Sequence, residues 1–464
     1  MAMKIIYGGE TMIIRTAELK RFEELYEKSG NQLVILYGRE NSGKEQLLRL
    51  FTRDKKVFYY RARQASASEQ LIQMGREVGQ KYQIHLSAHS YEEYFKRVRS
   101  GDASKLVVVI DEFSYIMKKD ETFLKAVMQL KDKKLYPGPV FIILASSSIV
   151  WTEHDAAELF APYQKKITER IRLDDVHFLD VVRNFPDYTT RQCVEVYGVL
   201  GGVTGYLSRW NGKRDLKENI CRNILSPTGF LYQEAEHYLG LELRELSLYN
   251  TILGAIAAGN QKLNDLFHYT GFSRAKISVY MKNLMEFDVI EKVVSFDTGG
   301  WENAKKGVYR IKNTYLNFWY RFVYPYLSDL YQLSAEEFYD LHIAGDLDAY
   351  LNQYFIQVCR EYLELLNMIG RLPLQLHRIG TWVGKQGTID IIAQNSVRES
   401  VVGLCNWAKP ELTMDDCRKL EESMKKAKIS AKYYYLFSAT GFEAALVEHA
   451  KEDARYVLVD MTEL

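Results

Sequence analysis

An apolar run, a glycine-lysine loop and an amphipathic helix follow one another early in the chain. Residues 33–36 predict a buried strand, and the residues from Glu45 onward predict a helix. Between them Gly38, Gly43 and Lys44 fit the G-x-x-x-x-G-K-[ST] spacing of a phosphate-binding loop. Glycines allow successive backbone N–H groups to point inward, and the helix N-terminus adds partial positive charge. The segment therefore predicts an α/β sheet with a phosphate-binding edge.

The last position of the loop pattern carries Glu45, where a Ser or Thr hydroxyl would contact Mg²⁺. Mg²⁺ accepts one or two carboxylates together with phosphate oxygens, so Glu45 is a candidate metal ligand. Its carboxylate reaches further than a hydroxyl, however, and octahedral geometry is strict. The residues expected to hold the nucleotide in this loop are Gly38, Asn41, Ser42, Gly43, Lys44 and Glu45. We expect ATP binding and leave hydrolysis open.

A second apolar run, residues 106–110, ends in two adjacent carboxylates, Asp111 and Glu112. This is the Walker B pattern, in which Asp111 would hold Mg²⁺ and Glu112 would polarise the attacking water. Lys44 completes the predicted catalytic set because its ammonium would reach the outer phosphates.

A third apolar run, residues 140–144, is followed by a short serine-rich stretch. Ser147 in that stretch is a candidate γ-phosphate sensor, and a plain serine-rich turn is the alternative. Three such strands with the loop and its helix predict a parallel sheet that binds its ligand at the carboxyl edge.

Composition limits the class of protein. The chain has 464 residues, 47% of them hydrophobic and 26% charged, with a formal net charge of +1. No apolar stretch approaches the ~20 residues that span a bilayer, and five cysteines without a C-x-x-C pair fit reduced thiols in a cytoplasm. We therefore expect a cytoplasmic protein with no membrane association, and any DNA contact must come from a local patch.

Two further blocks follow the first domain. Residues 171–241 have a helical pattern, interrupted by a sharp turn at residues 201–207, and we interpret them as a helical lid. Residues 243–258 and 261–269 predict two helices, and Ser273 would cap a third. Residues 289–296 and 307–311 would then form two wing strands with residues 297–306 at the tip.

This order of elements predicts a winged helix, whose third helix can enter the major groove of double-stranded DNA. The positive or hydrogen-bonding side chains of that helix are Arg274, Lys276, Tyr280 and Lys282. Many winged helices serve only as spacers or protein contacts, so a protein partner is the alternative.

With these segments in place the chain resembles the archaeal-type ATPase family, also widespread in bacteria, within the STAND branch of AAA+ proteins. The matching segments, in family order, are Ile14-Arg15 with Glu18-Leu19, LYGRENSGKE, VVVIDEFSYI, GGVTGYL and YRIKNTYLNFWYRFVYP. The resemblance covers nearly the whole chain. It implies ATP and Mg²⁺ as cofactors, Arg15 over the nucleotide base, and a C-terminal domain similar to a restriction-endonuclease core.

The expected fold class is α/β: a P-loop NTPase parallel sheet, a helical lid, a winged-helix domain and a C-terminal α/β restriction-endonuclease-like domain. The expected domains are residues 1–165 (ATPase core), 166–241 (lid), 242–312 (winged helix) and 313–464 (inactive nuclease-like domain).

Two departures from the family pattern concern catalysis. Gln164-Lys165 stand where the family usually carries a Gly-Arg pair suited to an arginine finger, and Lys lacks the planar geometry of Arg. In the C-terminal domain Asp390 keeps one nuclease carboxylate, but Leu404 and Asn406 replace the Glu and Lys of the next strand. One carboxylate does not assemble a metal site, so the sequence argues against nuclease activity.

Two classes of function remain. In the first, the chain is an ATP-binding STAND-type ATPase or switch with slow or absent turnover, coupled to DNA or protein binding. In the second, it is a nucleotide-independent DNA- or protein-binding protein built from a degenerate ATPase and a degenerate nuclease. Retention of Lys44, Asp111 and Glu112 favours the first. The oligomeric state is left open.

Overall fold

A computed structural model describes residues 2–7, 10–86, 89–102, 104–136, 138–241, 243–296, 307–384 and 387–464. The chain forms two compact units, Met1–Val176 with Val203–Arg209, and His177–Gly202 with Trp210–Leu464. The four-domain division expected from the sequence stays a prediction.

The first unit contains a five-stranded sheet, preceded by an antiparallel strand pair. The pair is β1 (Ala2–Tyr7) and β2 (Glu10–Arg15), and the sheet strands are β3 (Gln32–Tyr37), β4 (Val57–Arg61), β5 (Leu106–Asp111), β6 (Val140–Ser146) and β7 (Glu169–Arg172). All neighbouring strands of the sheet are parallel, in the order β4-β5-β6-β3-β7. The parallel α/β sheet expected from the sequence is confirmed.

The central strands are buried along their length because each face of the sheet has its own core. Val34 and Leu36 of β3 contribute to one apolar cluster, and Leu33 and Ile35 to the other. Successive side chains of a strand point to opposite faces, so an uninterrupted apolar run serves both cores. This is why these strands lack the alternation of a half-exposed sheet.

Short helices cover the sheet. They are α1 (Thr16–Glu27), α2 (Lys44–Thr52), α3 (Ala67–Tyr82), α4 (Tyr91–Arg97), α5 (Ser114–Met117), α6 (Thr122–Lys131), α7 (Ile149–Glu153) and α8 (Asp155–Phe160), followed by a 3₁₀ helix at Ala161–Lys166. After β7 the chain contributes α9 (Phe178–Asn184) and α10 (Thr190–Leu200) to the second unit, and α11 (Thr204–Arg209) to the first.

Two expectations for this region are wrong in detail. Residue 171 does not begin a helical block, because Glu169–Arg172 is the fifth strand and pairs in parallel with β3. Residues 201–207 are not turn throughout. Gly201 adopts a left-handed φ of 64°, but a helix begins at Thr204.

The second unit begins with helices. They are α12 (Leu216–Ile220), continued by a π-helical turn at Cys221–Leu225, then α13 (Glu234–Gly240), α14 (Leu246–Ala257), α15 (Leu263–Thr270) and α16 (Arg274–Glu286). The hydroxyl of Ser273 accepts a hydrogen bond from the Lys276 N–H at 3.3 Å, which confirms the expected cap.

An antiparallel pair follows, β8 (Ile290–Val294) and β9 (Gly307–Ile311), with the register Ile290 opposite Ile311. The three helices and two strands have the element order of a winged helix. The expected wing tip, residues 297–306, lies outside the described residues.

The rest of the second unit comprises helices and a mixed sheet. The helices are α17 (Thr314–Phe322), α18 (Leu327–Gln332), α19 (Ala335–His342), α20 (Leu347–Met368), α21 (Met414–Ala427) and α22 (Ala444–Glu452), with 3₁₀ turns at Tyr324–Tyr326 and Met461–Glu463. The strands are β10 (Arg378–Gly384), β11 (Gly387–Gln394), β12 (Ser400–Asn406), β13 (Ala431–Ser438) and β14 (Tyr456–Asp460).

This second sheet is antiparallel from β10 to β12 and parallel from β12 to β14. The two strands predicted to carry the degenerate nuclease residues are therefore adjacent. The likeness of this domain to a nuclease stays a prediction. Among the described residues no helix combines the length and apolar character needed to cross a bilayer.

Candidate nucleotide site

The loop between β3 and α2 is curled and tightly enclosed. Asn41 and Gly43 have left-handed φ angles of 62° and 90°, and the Ser42 N–H donates to the Arg39 carbonyl at 3.2 Å. A Cβ on Gly38 would lie 2.6 Å from the Leu173 carbonyl oxygen, so only glycine fits there. The loop thus forms the backbone cradle that its sequence predicts.

Lys44 lies inside this cradle. It is 7% exposed, and its Nζ donates to the carbonyl oxygens of Gly38 at 2.6 Å and Arg39 at 2.9 Å. Burial lowers the pKa of Lys44 to about 8, against the opposing pull of Glu112 and Asp111. An anion in the loop would give this ammonium a stronger partner than the neutral carbonyls it now contacts.

The hydroxyl of Ser42 is a further loop group that suits a phosphate, and Arg15 supports the loop from the end of β2. The Ser42 hydroxyl is buried and has no hydrogen-bond partner among the described residues, so it can donate to an acceptor placed in the loop. The Arg15 Nε donates to the Ser42 carbonyl at 2.7 Å, and its other nitrogens contact Glu18 at 2.9 Å and the Asp174 carbonyl. Arg15 therefore fixes the loop backbone, and its expected place over the nucleotide base stays a prediction.

Walker B residues lie at the same sheet edge. Asp111 ends β5 and is 5% exposed, and its Oδ2 accepts a hydrogen bond from the Tyr59 hydroxyl at 2.9 Å. Burial raises the pKa of Asp111, with the Glu112 charge adding to the effect. Glu112 has a left-handed φ of 54° and accepts hydrogen bonds from both the N–H and the hydroxyl of Ser147. The sensor candidate and the water-polarising candidate thus contact each other directly.

Glu45 lies at the start of α2, with 57% of its side chain exposed. Its carboxylate is 3.4 Å from Arg49 Nη2 and 3.9 Å from Arg61 Nη1. Arg61 also approaches Asp111, at 3.6 Å from Nε to Oδ2. The two carboxylates expected to hold metal therefore share one arginine.

Tyr59 and Arg61 were missed by the sequence reasoning, although their position carried a signal. Both lie in the second half of the run VFYYR, which Arg61 ends, and the strand register pairs Arg61 with Asp111. Polar residues at the carboxyl end of a strand beside the Walker B strand are candidates for the same site.

The segment that contains α11 was also missed as part of the site. The Gly205 N–H donates to the Asn41 carbonyl at 2.8 Å, and the Thr204 hydroxyl donates to the same oxygen at 3.2 Å. A Cβ on Gly43 would lie 2.7 Å from Thr204 Oγ1. Residues distant in sequence thus support the loop. The GGVTGYL motif contains Thr204 and Gly205, and these contacts with Asn41 and Gly43 are a structural role for it.

The donor set fits a nucleoside triphosphate with a divalent cation. The curled loop, Lys44 and the Ser42 hydroxyl suit phosphate oxygens, and Asp111 with Glu45 would hold Mg²⁺. A phosphate-bound Mg²⁺ needs only one or two protein carboxylates. Among the described residues no group of three or more His, Cys, Asp or Glu is arranged to hold a metal by itself. Gln164 and Lys165 are exposed on the 3₁₀ helix that follows α8.

The residues predicted to contact DNA all lie on α16, and neighbours of the same unit engage each of them. Arg274 Nη2 donates to Asn264 at 2.8 Å, and Lys276 Nζ lies 4.6 Å from the centre of the Phe272 ring. The Tyr280 hydroxyl donates to Glu245 at 2.8 Å, and Lys282 pairs with Glu286 at 3.6 Å. Arg274, Lys276 and Lys282 are nonetheless exposed.

The side chains at the three positions predicted to form a degenerate nuclease site have partners within their own domain. Asp390 Oδ2 accepts from the Cys405 N–H at 3.0 Å, and burial raises the pKa of Asp390 to about 6. The Asn406 amide donates to Ser438 Oγ at 3.2 Å and Thr440 Oγ1 at 2.9 Å. Leu404 packs against the apolar core of the domain.

A parallel sheet with this curled glycine-lysine loop and two carboxylates at one edge defines a P-loop ATPase-type domain. Residues 13–209 match a family described as an ATPase domain predominantly from Archaea. Residues 319–420 match a family of archaeal and bacterial proteins of unknown function. The chain therefore carries an archaeal-type ATPase domain followed by a C-terminal domain of unknown function, as its sequence predicted. Membership of an ATPase domain family implies nucleotide binding.

Similar proteins are known from Archaea. An uncharacterised protein of Methanocaldococcus jannaschii is 27% identical over 382 residues, which is 82% of this chain and 84% of that protein. The solved structure of a Walker-type ATPase of Pyrococcus abyssi has a TM-score of 0.47 at 17% identity, covering 66% of this chain and 95% of that one. The ORC2 protein of Aeropyrum pernix has a TM-score of 0.44 at 11% identity, covering 69% of this chain and 94% of that one.

Proposed function

We propose that the chain binds ATP in the Gly38–Lys44 loop and acts as a STAND-type nucleotide-dependent switch with slow or absent hydrolysis. The observation that supports this is the buried Lys44 ammonium, whose hydrogen-bond partners in the described part of the chain are the neutral carbonyls of Gly38 and Arg39. Such a charge is costly to bury without an anionic partner. A triphosphate supplies that partner.

Slow hydrolysis follows from two features of the site. Both carboxylate oxygens of Glu112 accept hydrogen bonds from Ser147, so the group that would polarise water is already engaged. Glu45 also replaces the hydroxyl that would position Mg²⁺. Any Mg²⁺ that entered with ATP would need Asp111 and Glu45 as ligands, and Arg61 lies within ion-pair distance of both carboxylates.

The segment of α11 offers a route by which the nucleotide state could reach the rest of the chain. Gly205 donates to the Asn41 carbonyl of the loop, and the residues on both sides of Val203–Arg209 belong to the second unit. A change in the loop on ATP binding would act on Gly205 and so on two covalent connections to that unit. The switch would use these connections to alter binding of DNA or a protein partner.

Thermal or urea unfolding of the intact chain with ATP and Mg²⁺ tests nucleotide binding. A ligand at about 100 times its Kd should raise the free energy of unfolding by about 2.7 kcal/mol. The Lys44→Ala variant is the control and should show no increase with ATP. If ATP changes the free energy of unfolding of neither protein, the alternative of a nucleotide-independent binding protein explains the chain better.

Exposed cations on α16 support double-stranded DNA as the partner that the switch would regulate. Arg274 and Lys276 lie in the N-terminal half of the helix, which reads bases in winged-helix complexes. Fluorescence anisotropy with a labelled duplex would test this with the double variant R274A/K276A. The control is K419A/K432A, which removes two exposed lysines from α21 and β13, outside the winged-helix elements. R274A/K276A should bind the duplex more weakly than the control, and each cation that contacts a phosphate should reduce the salt slope by about 1 when it is removed. Equal affinity of both double variants would reject DNA binding by α16.

A further inference from the structure

One arginine connects the two carboxylates that are expected to hold the metal. Arg61 ends β4 and is paired in register with Asp111 of β5. Its Nε lies 3.6 Å from Asp111 Oδ2, and its Nη1 lies 3.9 Å from Glu45 Oε2. A single guanidinium therefore lies within ion-pair distance of both acids.

The remaining contacts of these acids also come from the chain itself. Asp111 Oδ2 accepts from the Tyr59 hydroxyl at 2.9 Å, and Oδ1 accepts from the Glu112 N–H at 3.1 Å. Glu45 Oε1 is 3.4 Å from Arg49. Both carboxylates thus have partners of suitable charge or hydrogen-bonding type without a metal ion.

An ordinary surface ion pair would be the simpler explanation, because 58% of the Arg61 side chain and 57% of the Glu45 side chain are exposed. Such pairs contribute little to stability. Asp111 differs, because it is 5% exposed and a buried carboxylate needs a compensating charge. Arg61 is the described cation with an ion-pair contact to Asp111, and it is accessible enough to contact a phosphate as well.

We propose that Arg61 is the resident cation of the nucleotide site: it lies between Glu45 and Asp111 and takes the place of Mg²⁺, so that ATP binds with little dependence on divalent metal. This inference rests on the proposed binding of ATP at this edge. Guanidinium groups bind carboxylates and phosphates with the same planar set of donors. Arg61 would therefore neutralise Glu45 and Asp111 in the free protein and contact phosphate oxygens in the complex.

The proposal also accounts for the acid at position 45. A glutamate beside a triphosphate adds repulsion unless a cation neutralises it. Arg61 supplies that charge from β4, because its guanidinium lies within ion-pair distance of both Glu45 and Asp111. The Glu45 and Arg61 side chains are thus explained as one pair.

Fluorescence titration of the intact chain with mant-ATP, in Mg²⁺ and in EDTA, tests the proposal. The Kd of the unchanged protein should differ by less than about threefold between the two buffers, while Arg61→Ala should bind at least about tenfold more weakly in EDTA than in Mg²⁺. Arg49→Ala is the matched control, because Arg49 also contacts Glu45 and the contact of Arg61 with Asp111 stays in place. The Kd of Arg49→Ala, like that of the unchanged protein, should differ by less than about threefold between EDTA and Mg²⁺.

The outcomes separate this inference from the proposed function. Two results would overturn the role of Arg61 while leaving ATP binding intact. In the first, the unchanged protein binds mant-ATP at least about tenfold more weakly in EDTA than in Mg²⁺. In the second, the ratio of the Kd in EDTA to the Kd in Mg²⁺ is the same for Arg61→Ala and the unchanged protein. Absence of mant-ATP binding in both buffers would reject the nucleotide site itself, and with it the role of Arg61. Far-UV circular dichroism of each variant would confirm that its fold is kept.

Discussion

Ser147 donates two hydrogen bonds to Glu112, one from its N–H to Oε2 at 3.1 Å and one from its hydroxyl to Oε1. Two of the lone pairs of the Glu112 carboxylate are thus engaged by one neighbour, which supports the proposal of slow hydrolysis. The contact links the proposed γ-phosphate sensor to the residue proposed to polarise water.

Glu45→Thr should raise ATP hydrolysis by roughly tenfold if the missing hydroxyl limits turnover. Thr restores the short oxygen ligand that suits Mg²⁺ at this position, and the exposure of Glu45 means that the substitution leaves the core untouched. Steady-state release of phosphate is the measurement.

Glu45→Gln is the matched control for that experiment, because it removes the charge without supplying a hydroxyl. Glu45→Gln should not show the increase in turnover that is expected of Glu45→Thr. Equal rates for Glu45→Thr and the unchanged protein would show that the limitation lies elsewhere, for example at Gln164-Lys165 or at the Ser147–Glu112 pair.

Gly205→Ala should weaken ATP binding and destabilise the first unit by about 1–3 kcal/mol. A Cβ at this position would lie 2.7 Å from the Asn41 Cβ and 2.9 Å from its carbonyl oxygen, so the loop must move. Gly240→Ala is the control, since its nearest neighbour would be 3.9 Å away. Calorimetric ATP affinity and urea unfolding together check the prediction, and it fails if the two variants behave alike.

Lys44 should make the free energy of unfolding depend on pH. Its pKa is about 8 in the folded chain against an ordinary 10.5, so between these values the unfolded chain binds more protons. The free energy of unfolding should therefore rise with pH in that window, by at most about 3 kcal/mol more than in Lys44→Met. Urea unfolding at about pH 8 and about pH 10 measures the difference, and parallel pH curves for both proteins would contradict it.

Asp390 should make the free energy of unfolding fall as pH rises, in a window at lower pH than that of Lys44. Its pKa is raised from 3.8 to about 6, so the folded chain binds more protons in that window and the free energy of unfolding falls as pH rises through it. Asn keeps a carbonyl oxygen for the Cys405 N–H without the buried charge. Asp390→Asn should thus unfold at a higher temperature than the unchanged protein at neutral pH, with a gain of at most about 3 kcal/mol. A lower unfolding temperature would mean that the charged form is stabilised in the fold.

Local patterns made the centre of the site predictable. The apolar run, the glycines and Lys44 lie within one strand-loop-helix unit, and Asp111 follows an apolar run that is equally clear. These runs also predicted that the first sheet is parallel and covered on both faces, because an uninterrupted apolar strand contributes side chains to a core on each face.

Contacts between segments distant in sequence could not be predicted from local sequence patterns. Arg61 meets Asp111 only because β4 pairs with β5, and Gly205 reaches Asn41 across a long sequence separation. Strand β7 was missed because its sequence, ERIR, has charged residues at three of four positions and looks like part of a polar helix. Tertiary pairing overrides such local preference.

Isothermal titration calorimetry of ATP into the intact chain, in parallel with Lys44→Ala, tests the central claim most directly. The account predicts saturable binding of one ATP to the unchanged protein and no binding to Lys44→Ala, because the loop without its ammonium lacks the main partner of the outer phosphates. Absence of binding to the unchanged protein, or equal binding to both proteins, would contradict it.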